Sequence, residues 1–559
     1  MRRTVPLLGL LVLPACRHGE PADLVLRHGA VYSVATDSAP AQALAVRDGR
    51  IVFVGSDREA GWFIGRGTTV LDLEGRMVLP AFRDTHVHVR GGIQLGECTL
   101  DALRSRPEVL DSVQRYAALH PELPWIRGSG WQLPVFPEAN PRKEWLDRIV
   151  PDRPVYLRAA DGHSAWVNSR ALELAGITRT TPDPPNGRIE RDAATGEPSG
   201  TLRESAMELV ARLLPPRSQA EIRAGLLRAI ALANRFGITA LYDPSVDPPL
   251  LEAYAALDSA GLLTARVIAA IRIDPALGLS QVDSLRIWRA RYRGQQYFSP
   301  RSVKIFVDGV IEPKTAALLE PYVGGSGYRG EPNFAPAALD TLIAALDGAG
   351  FQVHSHAIGD RAVRMALDAL AFARRLNGPR DARPIIAHLE LIDPADIPRF
   401  AAQEVIPSFQ PLWAYADDYI TRLTEPLLGP TRSRWLYPIG SVTRAGAHLA
   451  AGSDWPVSSL NPLEAIQVAV TRRGPTQPPG PAWIAEEVVS LGTILRAYTL
   501  GGAYAAFEEA TNGTLEVGKA ADLIVLDRDL HRIPASEIHL AKVLLTLLEG
   551  RPVWRDPGW

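Results

Sequence analysis

Residues 79–88 read Leu79-Pro-Ala-Phe-Arg-Asp-Thr-His-Val-His88, an apolar run that ends in two histidines separated by one residue. If the run is a strand, its side chains alternate, so His86 and His88 share one face and Val87 takes the other. Two neighbouring imidazoles at the carboxyl end of a strand suit a divalent metal such as zinc, because each offers a neutral nitrogen. The alternative is a pair of ordinary polar loop histidines, and the pair alone does not decide between them.

The length and the charge balance narrow the class of protein. A chain of 559 residues exceeds what one hydrophobic core usually organises, so we expect two or three structural units. The hydrophobic fraction of 46% is enough to fill their cores. The 60 basic and 62 acidic residues give a formal net charge of −2, and no long run of one sign occurs. This distribution predicts no affinity for nucleic acid or for an anionic membrane surface.

Residues 1–16 have the anatomy of an export signal. Two arginines precede a mostly apolar run over 5–13, which is too short to span a bilayer as a helix. The small residue before Cys16 resembles a bacterial lipobox, in which the cysteine is lipidated and anchors the mature protein. Pro14 is unusual in that motif, and the alternative is an ordinary cleaved signal. Both readings predict an exported protein, periplasmic or anchored to a membrane of a bacterial envelope.

The two ends of the mature chain carry strand patterns. Residues 22–34, 42–54 and 68–73 alternate or are rich in β-branched side chains, and Asp-Gly and Glu-Gly turns separate them. Residues 513–527 and 543–553 return to strand patterns with glycine turns. We expect residues 22–76 and 510–559 to form one small β-sandwich domain built from both ends of the chain.

Between these ends, strand patterns are followed by helical patterns, as in a parallel α/β sheet. Helices are predicted at 220–236, 337–349 and 360–376. Together with the strand that carries His86, the predicted strands are 238–242, 303–307, 351–356, 384–388, 405–409 and 448–451. The series approximates a (β/α)₈ TIM barrel over 77–509. Residues 91–216 contain more Pro, Gly and Trp, apart from a strand at 154–157, and are predicted to be an insertion over the barrel mouth.

In such a barrel, the chemistry lies at the carboxyl ends of the strands. Polar residues end or lie in the predicted strands in this order: His86, His88, Lys304, His356, His388 and Asp454. Each of them alone has an ordinary explanation, such as a lysine at the edge of a core or a turn aspartate before a proline. Their joint order favours a metal centre.

This order of four histidines, a lysine and an aspartate resembles the amidohydrolase superfamily of metal-dependent hydrolases. The best resemblance is to the branch similar to N-substituted formamide deformylase, amidohydrolase family 3. Further matches are Asp-Gly-His-Ser-Ala-Trp-Val-Asn at 161–168, Asp-Gly-Val-Ile-Glu at 308–312, Gly-Asp-Arg-Ala at 359–362 and the Gly-Lys-Ala-Ala-Asp-Leu segment at 518–523. The resemblance covers nearly the whole mature chain.

The resemblance implies roles for these residues. His86 and His88 would hold one divalent ion, and His356 and His388 would hold a second or support the first. Lys304 matches a lysine that relatives often carry as a carbamate bridging two ions; the alternatives are a neutral amine beside one ion and a lysine that reaches solvent. His354 would lie on the same strand face as His356, and we expect it to support a ligand or to pack in the core.

Asp454 is predicted to ligate the metal and to act as the general base. His163 and Trp166 are predicted to line the substrate pocket, with His163 donating a hydrogen bond to the substrate carbonyl oxygen. The resemblance adds Glu312 and Gln410 to this pocket. Trp413 stands where many relatives have a histidine, which suggests a more apolar pocket.

These observations predict a hydrolase that cleaves a C–N bond of an amide, N-acyl or N-formyl small molecule with a metal-activated water. The first alternative is hydrolysis of an ester or a cyclic amide at the same site. The second is a catalytically silent exported binding protein. The ligands define a reaction class rather than a substrate. Assembly into a homo-oligomer stays open.

Overall fold

The computed structural model describes residues 20–36, 38–101 and 103–559. The predicted export signal and the lipobox around Cys16 lie outside these residues. Among the described helices, none combines the length and the apolar character that a bilayer-spanning segment needs.

Eight parallel strands form a barrel, which confirms the predicted α/β fold. The strands are β1 (Phe82–Asp84), β2 (Ile238–Val246), β3 (Arg266–Arg272), β4 (Phe298–Phe306), β5 (Gln352–Ala357), β6 (Ile385–His388), β7 (Ile406–Phe409) and β8 (Ala450–Ala451). Each strand pairs with its sequence neighbour from β1 to β8. The ring approaches closure through two backbone hydrogen bonds, from Thr85 N to Ala451 O at 3.1 Å and from Asp454 N to His86 O at 2.7 Å.

The register of the strands sets their polar ends at one level. Lys304 on β4 is paired with His354 on β5, and Ala357 at the end of β5 is paired with His388 at the end of β6. The carboxyl ends of neighbouring parallel strands meet at the same edge of the barrel. Side chains that are far apart along the chain are thereby brought to one mouth.

A helix follows each barrel strand before the next strand begins. These helices are α1 (Gln219–Arg235), α2 (Pro248–Ser259), α3 (Val282–Arg291), α4 (Pro336–Gly348), α5 (Asp360–Asn377), α6 (Ile397–Ala402), α7 (Ile439–Arg444) and α8 (Pro462–Thr471). The α1 helix begins at a capping box, in which Ser218 and Glu221 each accept a hydrogen bond from the other's backbone N–H. It ends before Gly237, whose φ of 81° lets the chain turn into β2.

The predicted strand over 79–88 is wrong in its extent, because the chain changes sheets at Ala81. Met77–Pro80 pairs antiparallel with Leu523–Leu526 in a sheet of the chain ends, and only Phe82–Asp84 belongs to the barrel. The backbone explains the change: Ala81 N donates to Asp522 O at 3.0 Å, whereas Phe82 N donates to Gly237 O at 2.9 Å. Consecutive amides therefore bond to different sheets.

Two sheets outside the barrel share one apolar core, and only the five-stranded one combines strands from both ends of the chain. The four-stranded sheet contains Leu24–Arg27, Ala43–Arg47, Arg50–Gly55 and Thr69–Asp72. The five-stranded sheet contains Ala30–Val31, Met77–Pro80, Leu523–Leu526, Val543–Leu548 and Arg551–Arg555. Short helices flank these sheets and the barrel at Asp57–Ala60, Gly91–Gln94, Glu425–Leu428, Pro430–Ser433, Leu491–Arg496 and Gly502–Ala505.

The segment between β1 and α1 folds around a sheet of its own. Its six strands are Cys98–Thr99, Ile126–Trp131, Val155–Ala159, Ser164–Val167, Gly187–Arg191 and Pro198–Glu204. Its helices are Arg106–Leu119, Lys143–Asp147, Ser169–Ala175 and Glu208–Ala211. Trp131, Phe136 and Trp166 lie in a separate apolar cluster of this segment. We call residues 91–216 of this segment the insertion.

Candidate metal centre

Three side chains at the mouth of the barrel converge closely enough to hold one ion. His86, His388 and Asp454 each offer one ligand atom, and these atoms lie within 4.8 Å of one another. His88 Nε2 adds a further nitrogen at 3.1 Å from Asp454 Oδ1. Imidazole nitrogens and a carboxylate oxygen are the donors that zinc and related divalent ions prefer.

Two atoms of this cluster are buried without a hydrogen-bond partner. His388 Nδ1 and Asp454 Oδ1 accept or donate none, although both residues are almost fully buried. Unsatisfied buried polar atoms are costly, so they call for a physical explanation. A cation bound between them would satisfy both atoms. The residues present therefore fit a divalent metal.

His86 and His388 are held in the neutral, metal-binding form. Burial, followed by the nearby Lys304, keeps the pKa of His86 well below its ordinary value. Burial and the neighbouring His356 do the same to the pKa of His388. Neutral imidazole is the form that coordinates a metal.

His354 supports His86 from beneath the cluster. Its Nε2 lies 2.9 Å from His86 Nδ1, which leaves His86 Nε2 to face Asp454 at 3.6 Å. A His86 that coordinates through Nε2 carries its proton on Nδ1, so it would donate that proton to His354. Such a partner fixes the tautomer and the ring orientation of a ligand.

Lys304 points into the same cluster from β4. Its side chain is fully buried and its Nζ lies 3.3 Å from His86 Nε2. Burial lowers the pKa of this amine to about 7, against the opposing effect of the Asp454 carboxylate. A free ammonium at this position would compete with a metal for the same donors.

His356 lies at the edge of the cluster. Its ring centroid is 4.5 Å from that of His388, but its Nε2 faces the backbone oxygen of Gly309 at 3.0 Å. The other ring nitrogen is the one available to an ion. Asp308 holds the neighbouring backbone in place, because its carboxylate accepts hydrogen bonds from the backbone of Ile358, Gly359 and Ala317.

The backbone adopts unusual dihedral angles at two of the proposed ligands. His388 and Asp454 have φ values of 76° and 53°, in a region that non-glycine residues rarely adopt. Asp84 Oδ1 accepts hydrogen bonds from both His86 N and Ser453 N at 3.0 Å, which joins β1 to the loop after β8. Gly452 allows that approach, since a Cβ there would lie 2.5 Å from His86 N. Strain of this kind commonly accompanies functional sites.

The insertion contributes His163 to the cavity above the cluster. His163 Nδ1 lies 2.9 Å from Glu204 Oε2, and the other Glu204 oxygen accepts a hydrogen bond from Thr315 at 2.7 Å. Burial alone would lower the pKa of His163, but the Glu204 carboxylate raises it to about 9. Glu204 was not predicted as a site residue, because its only signal in the sequence is a charge at the end of a strand.

A cavity of about 980 Å³ opens over the cluster. It is lined by His163, Glu312 and Trp413, three of the predicted substrate residues. The Trp413 ring stacks on His388, with centroids 5.7 Å apart and planes 4° apart. Carboxyl groups also line this cavity, so its wall is not simply apolar.

Two other predicted substrate residues do not reach the cavity lining. Trp166 is fully buried, donates to the Arg142 backbone oxygen at 3.1 Å and packs on Phe136 at a centroid distance of 5.2 Å. The structure therefore gives Trp166 a packing position within the insertion. Gln410 is fully buried below the lining, and its Oε1 has no hydrogen-bond partner.

Comparisons with known proteins agree with this architecture. A crystal structure of a metal-dependent hydrolase from Pyrococcus furiosus superposes with a TM-score of 0.70 at 27% identity, covering 90% of this chain and 99% of that one. The protein LONG AFTER FAR-RED 3 of Arabidopsis thaliana is 33% identical over 96% of this chain and 92% of its own length. The N-substituted formamide deformylase of Arthrobacter pascens is 27% identical over 94% and 97%.

The match to a protein family covers most of the chain. A sequence model of the amidohydrolase family matches residues 69–554, which include the barrel and every residue of the cluster. This match and the similarity to the metal-dependent hydrolase from Pyrococcus furiosus show that the protein is a metal-dependent hydrolase of the amidohydrolase type. The chain belongs to the amidohydrolase family.

Proposed function

We propose that this protein hydrolyses the C–N bond of an amide, N-acyl or N-formyl small molecule. The observation that carries the proposal is the convergence of His86, His388 and Asp454 at the floor of a cavity that also contains His163. A metal-ligand set and a separate hydrogen-bond donor are the two parts that acyl transfer to water needs.

We propose zinc as the metal, in one or two ions, because the donors are imidazole nitrogens and a carboxylate. The first ion would be held by His86, His88, His388 and Asp454. A second ion would use His356 as a further ligand. When bound, the metal would lower the pKa of a coordinated water to about 7 and polarise the substrate carbonyl.

The chain's own groups would manage the protons. With one Asp454 oxygen bound to the metal, the other would accept the proton of the attacking water and pass it to the leaving nitrogen. His163, fixed by Glu204, would donate a hydrogen bond to the carbonyl oxygen as negative charge develops there. Because the cluster is buried, bulk water would compete less for the hydrogen bonds that these groups make to the substrate.

Lys304 is proposed to carry a carbamate when two ions are bound. Its amine would form a bond to the carbon of carbon dioxide and release a proton, which replaces a cation with an anionic ligand. The support is the full burial of Lys304 and its 3.3 Å distance to His86 Nε2. The test is the mass of the intact metal-loaded protein, measured without acid. The difference in mass between the wild type and a Lys304→Ala variant should equal the difference between the two side chains plus the mass of the carbamate group.

The proposal is tested by comparing hydrolysis rates of the metal-loaded protein on four substrate panels. We expect N-substituted formamides and N-acyl amines to release amine faster than lactams and aryl esters are opened. The similarity to an N-substituted formamide deformylase supports this order. Preferential turnover of esters or lactams would favour the alternative hydrolase, and no turnover by metal-loaded protein would favour a silent binding protein.

We also propose that the protein is exported and anchored through a lipid on Cys16, on the pattern of residues 1–16. The Cys16→Ser variant is expected to leave the membrane fraction while the hydrolysis rate per metal stays constant. Continued membrane association of that variant would exclude the anchor.

A further inference from the structure

One wall of the cavity above the metal centre is acidic. Among the described residues that line the cavity, eight are acidic and two, Arg104 and Arg422, are arginines. Asp454 belongs to the metal cluster and Glu312 is a predicted pocket residue, which leaves the other six carboxyls without an assigned role. We call Glu312, Glu390 and Asp417 the acidic wall.

Glu390 is the member with an unsatisfied oxygen. It follows His388 by two residues and is only 3% exposed, yet its Oε1 has no hydrogen-bond partner. A buried carboxylate oxygen without a donor is costly. The Glu312 carboxyl group lines the same cavity. Two carboxylates are stabilised when a cation lies between them.

The other two members are fixed in place by neighbouring segments. Glu312 Oε1 accepts a hydrogen bond from the Thr424 hydroxyl at 2.6 Å. Asp417 Oδ1 accepts one from the backbone N–H of Ile420 at 2.9 Å. The carboxyls are therefore positioned before any ligand arrives, and preorganised charges bind a ligand at lower cost.

Aromatic rings stand beside these carboxyls. Trp413 and Tyr437 both line the cavity, with ring centroids 6.5 Å apart, and Tyr415 and Tyr419 line it as well. An ammonium group is attracted to the faces of such rings, most strongly where water is excluded. Carboxylates combined with aromatic faces are a donor set for an organic cation rather than for an anion.

We propose that the acidic wall is a subsite for a cationic amino group of the substrate. The inference rests on the proposed amide hydrolysis and names its substrate class: an N-acylated or N-formylated amine that carries a second, positively charged amine. Anionic amides, such as N-acyl amino acids, would be rejected by the same charges. The indole of Trp413 would pack against the apolar chain between the two nitrogens.

The first experiment compares matched amides on the metal-loaded protein. N-acetyl-1,4-diaminobutane carries the cation, N-acetylpentylamine is its neutral analogue of equal length, and N-acetyl-γ-aminobutyrate carries an anion. We expect kcat/KM for the cationic amide to exceed that for the neutral one by about tenfold or more. Equal or faster hydrolysis of the neutral amide would overturn the subsite.

The second experiment moves the preference by mutation. Glu312→Gln keeps an oxygen for the Thr424 hydroxyl and removes the charge, so the rise in KM should be about tenfold larger for the cationic amide than for the neutral one. Glu390→Gln should act in the same direction. Glu320→Gln is the control, because Glu320 is an exposed glutamate of the same loop outside the cavity lining. An equal loss on both substrates would mean a structural role and would contradict the inference.

A binding measurement separates this inference from the proposed function. Titration calorimetry with 1,4-diaminobutane and with 1-pentanol needs no catalysis. Heat from the diamine alone, lost in Glu312→Gln, would support the subsite even if no amide were hydrolysed, a result that would contradict only the proposed function. Amide hydrolysis without diamine binding would contradict only the subsite. Binding of Ca²⁺ with displacement of the diamine would identify the wall as a metal site and overturn the inference.

Discussion

The cavity has two walls of different construction, the barrel floor and the roof formed by the insertion and the strand-end loops. On the floor, Asp454 is 5% exposed, and His86 and Lys304 lie fully buried behind the lining. The register of the parallel strands fixes these side chains. In the roof, the His163 side chain is 15% exposed and depends on Glu204 for its orientation. From this difference we expect that the metal-dependent reaction depends mainly on the floor and that substrate selectivity depends mainly on the loops of the roof.

The largest expected effect is a loss of turnover from a substitution on the floor. Asp454→Asn should lower kcat by about 10³-fold, because the amide cannot accept the proton of the attacking water. Circular dichroism and thermal unfolding should stay close to the wild type, and Asp283→Asn, at a side chain 90% exposed, is the matched control. A rate near the wild type would remove the general-base role from Asp454.

The second effect is a loss of stability from a substitution in the insertion, which forms part of the roof. Trp166→Ala should lower the free energy of unfolding by about 3–5 kcal/mol, because a fully buried indole leaves a cavity in the insertion. The metal content of the folded protein should be unchanged. The measurement is denaturant unfolding followed by metal analysis. A large rise in KM without a loss of stability would instead return Trp166 to the substrate pocket.

The third effect tests how the floor retains metal. Lys304→Ala should require a metal concentration about tenfold higher or more for reloading, because the carbamate proposed at this position beside His86 could not form. Short carboxylic acids, such as acetate, should restore part of the activity by filling the vacated space. Lys304→Arg would not be rescued, since its side chain occupies that space. Unchanged metal affinity in Lys304→Ala would exclude a ligand role.

The smallest effect tests the support of the roof. Glu204→Gln should lower kcat by about tenfold while KM and metal content stay near the wild type, because His163 loses the charge that holds it protonated. Glu197→Gln, on an exposed turn of the same insertion, is the control. A parallel fall in metal content would show that Glu204 acts on the fold of the site instead.

The sequence predicts the floor better than the roof, for a physical reason. Ligands at strand ends are visible in the chain because strand patterns and polar ends are local. One barrel strand, Arg266–Arg272, escaped prediction, since it is an apolar run to which no proposed ligand is assigned. The split at Ala81 was also missed, because a change of hydrogen-bond partner leaves no local trace.

The roof depends on pairings between distant segments. Glu204 reaches His163 only because Pro198–Glu204 pairs with Ser164–Val167. Trp166 lies three residues after His163, so alternation along the strand sends the two side chains to opposite faces. The motif that contains both residues cannot reveal which of them faces the cavity. Glu390 was likewise overlooked, although it stands two residues after a predicted ligand.

The account depends most on a metal that activates water at the barrel floor. Its most direct test is to measure bound metal and amide hydrolysis together in one preparation: as purified, after chelation, and after addition of zinc. We expect one to two equivalents of metal as purified, loss of activity with chelation and recovery in proportion to the zinc that rebinds. Full hydrolytic activity in protein stripped of metal would contradict the account.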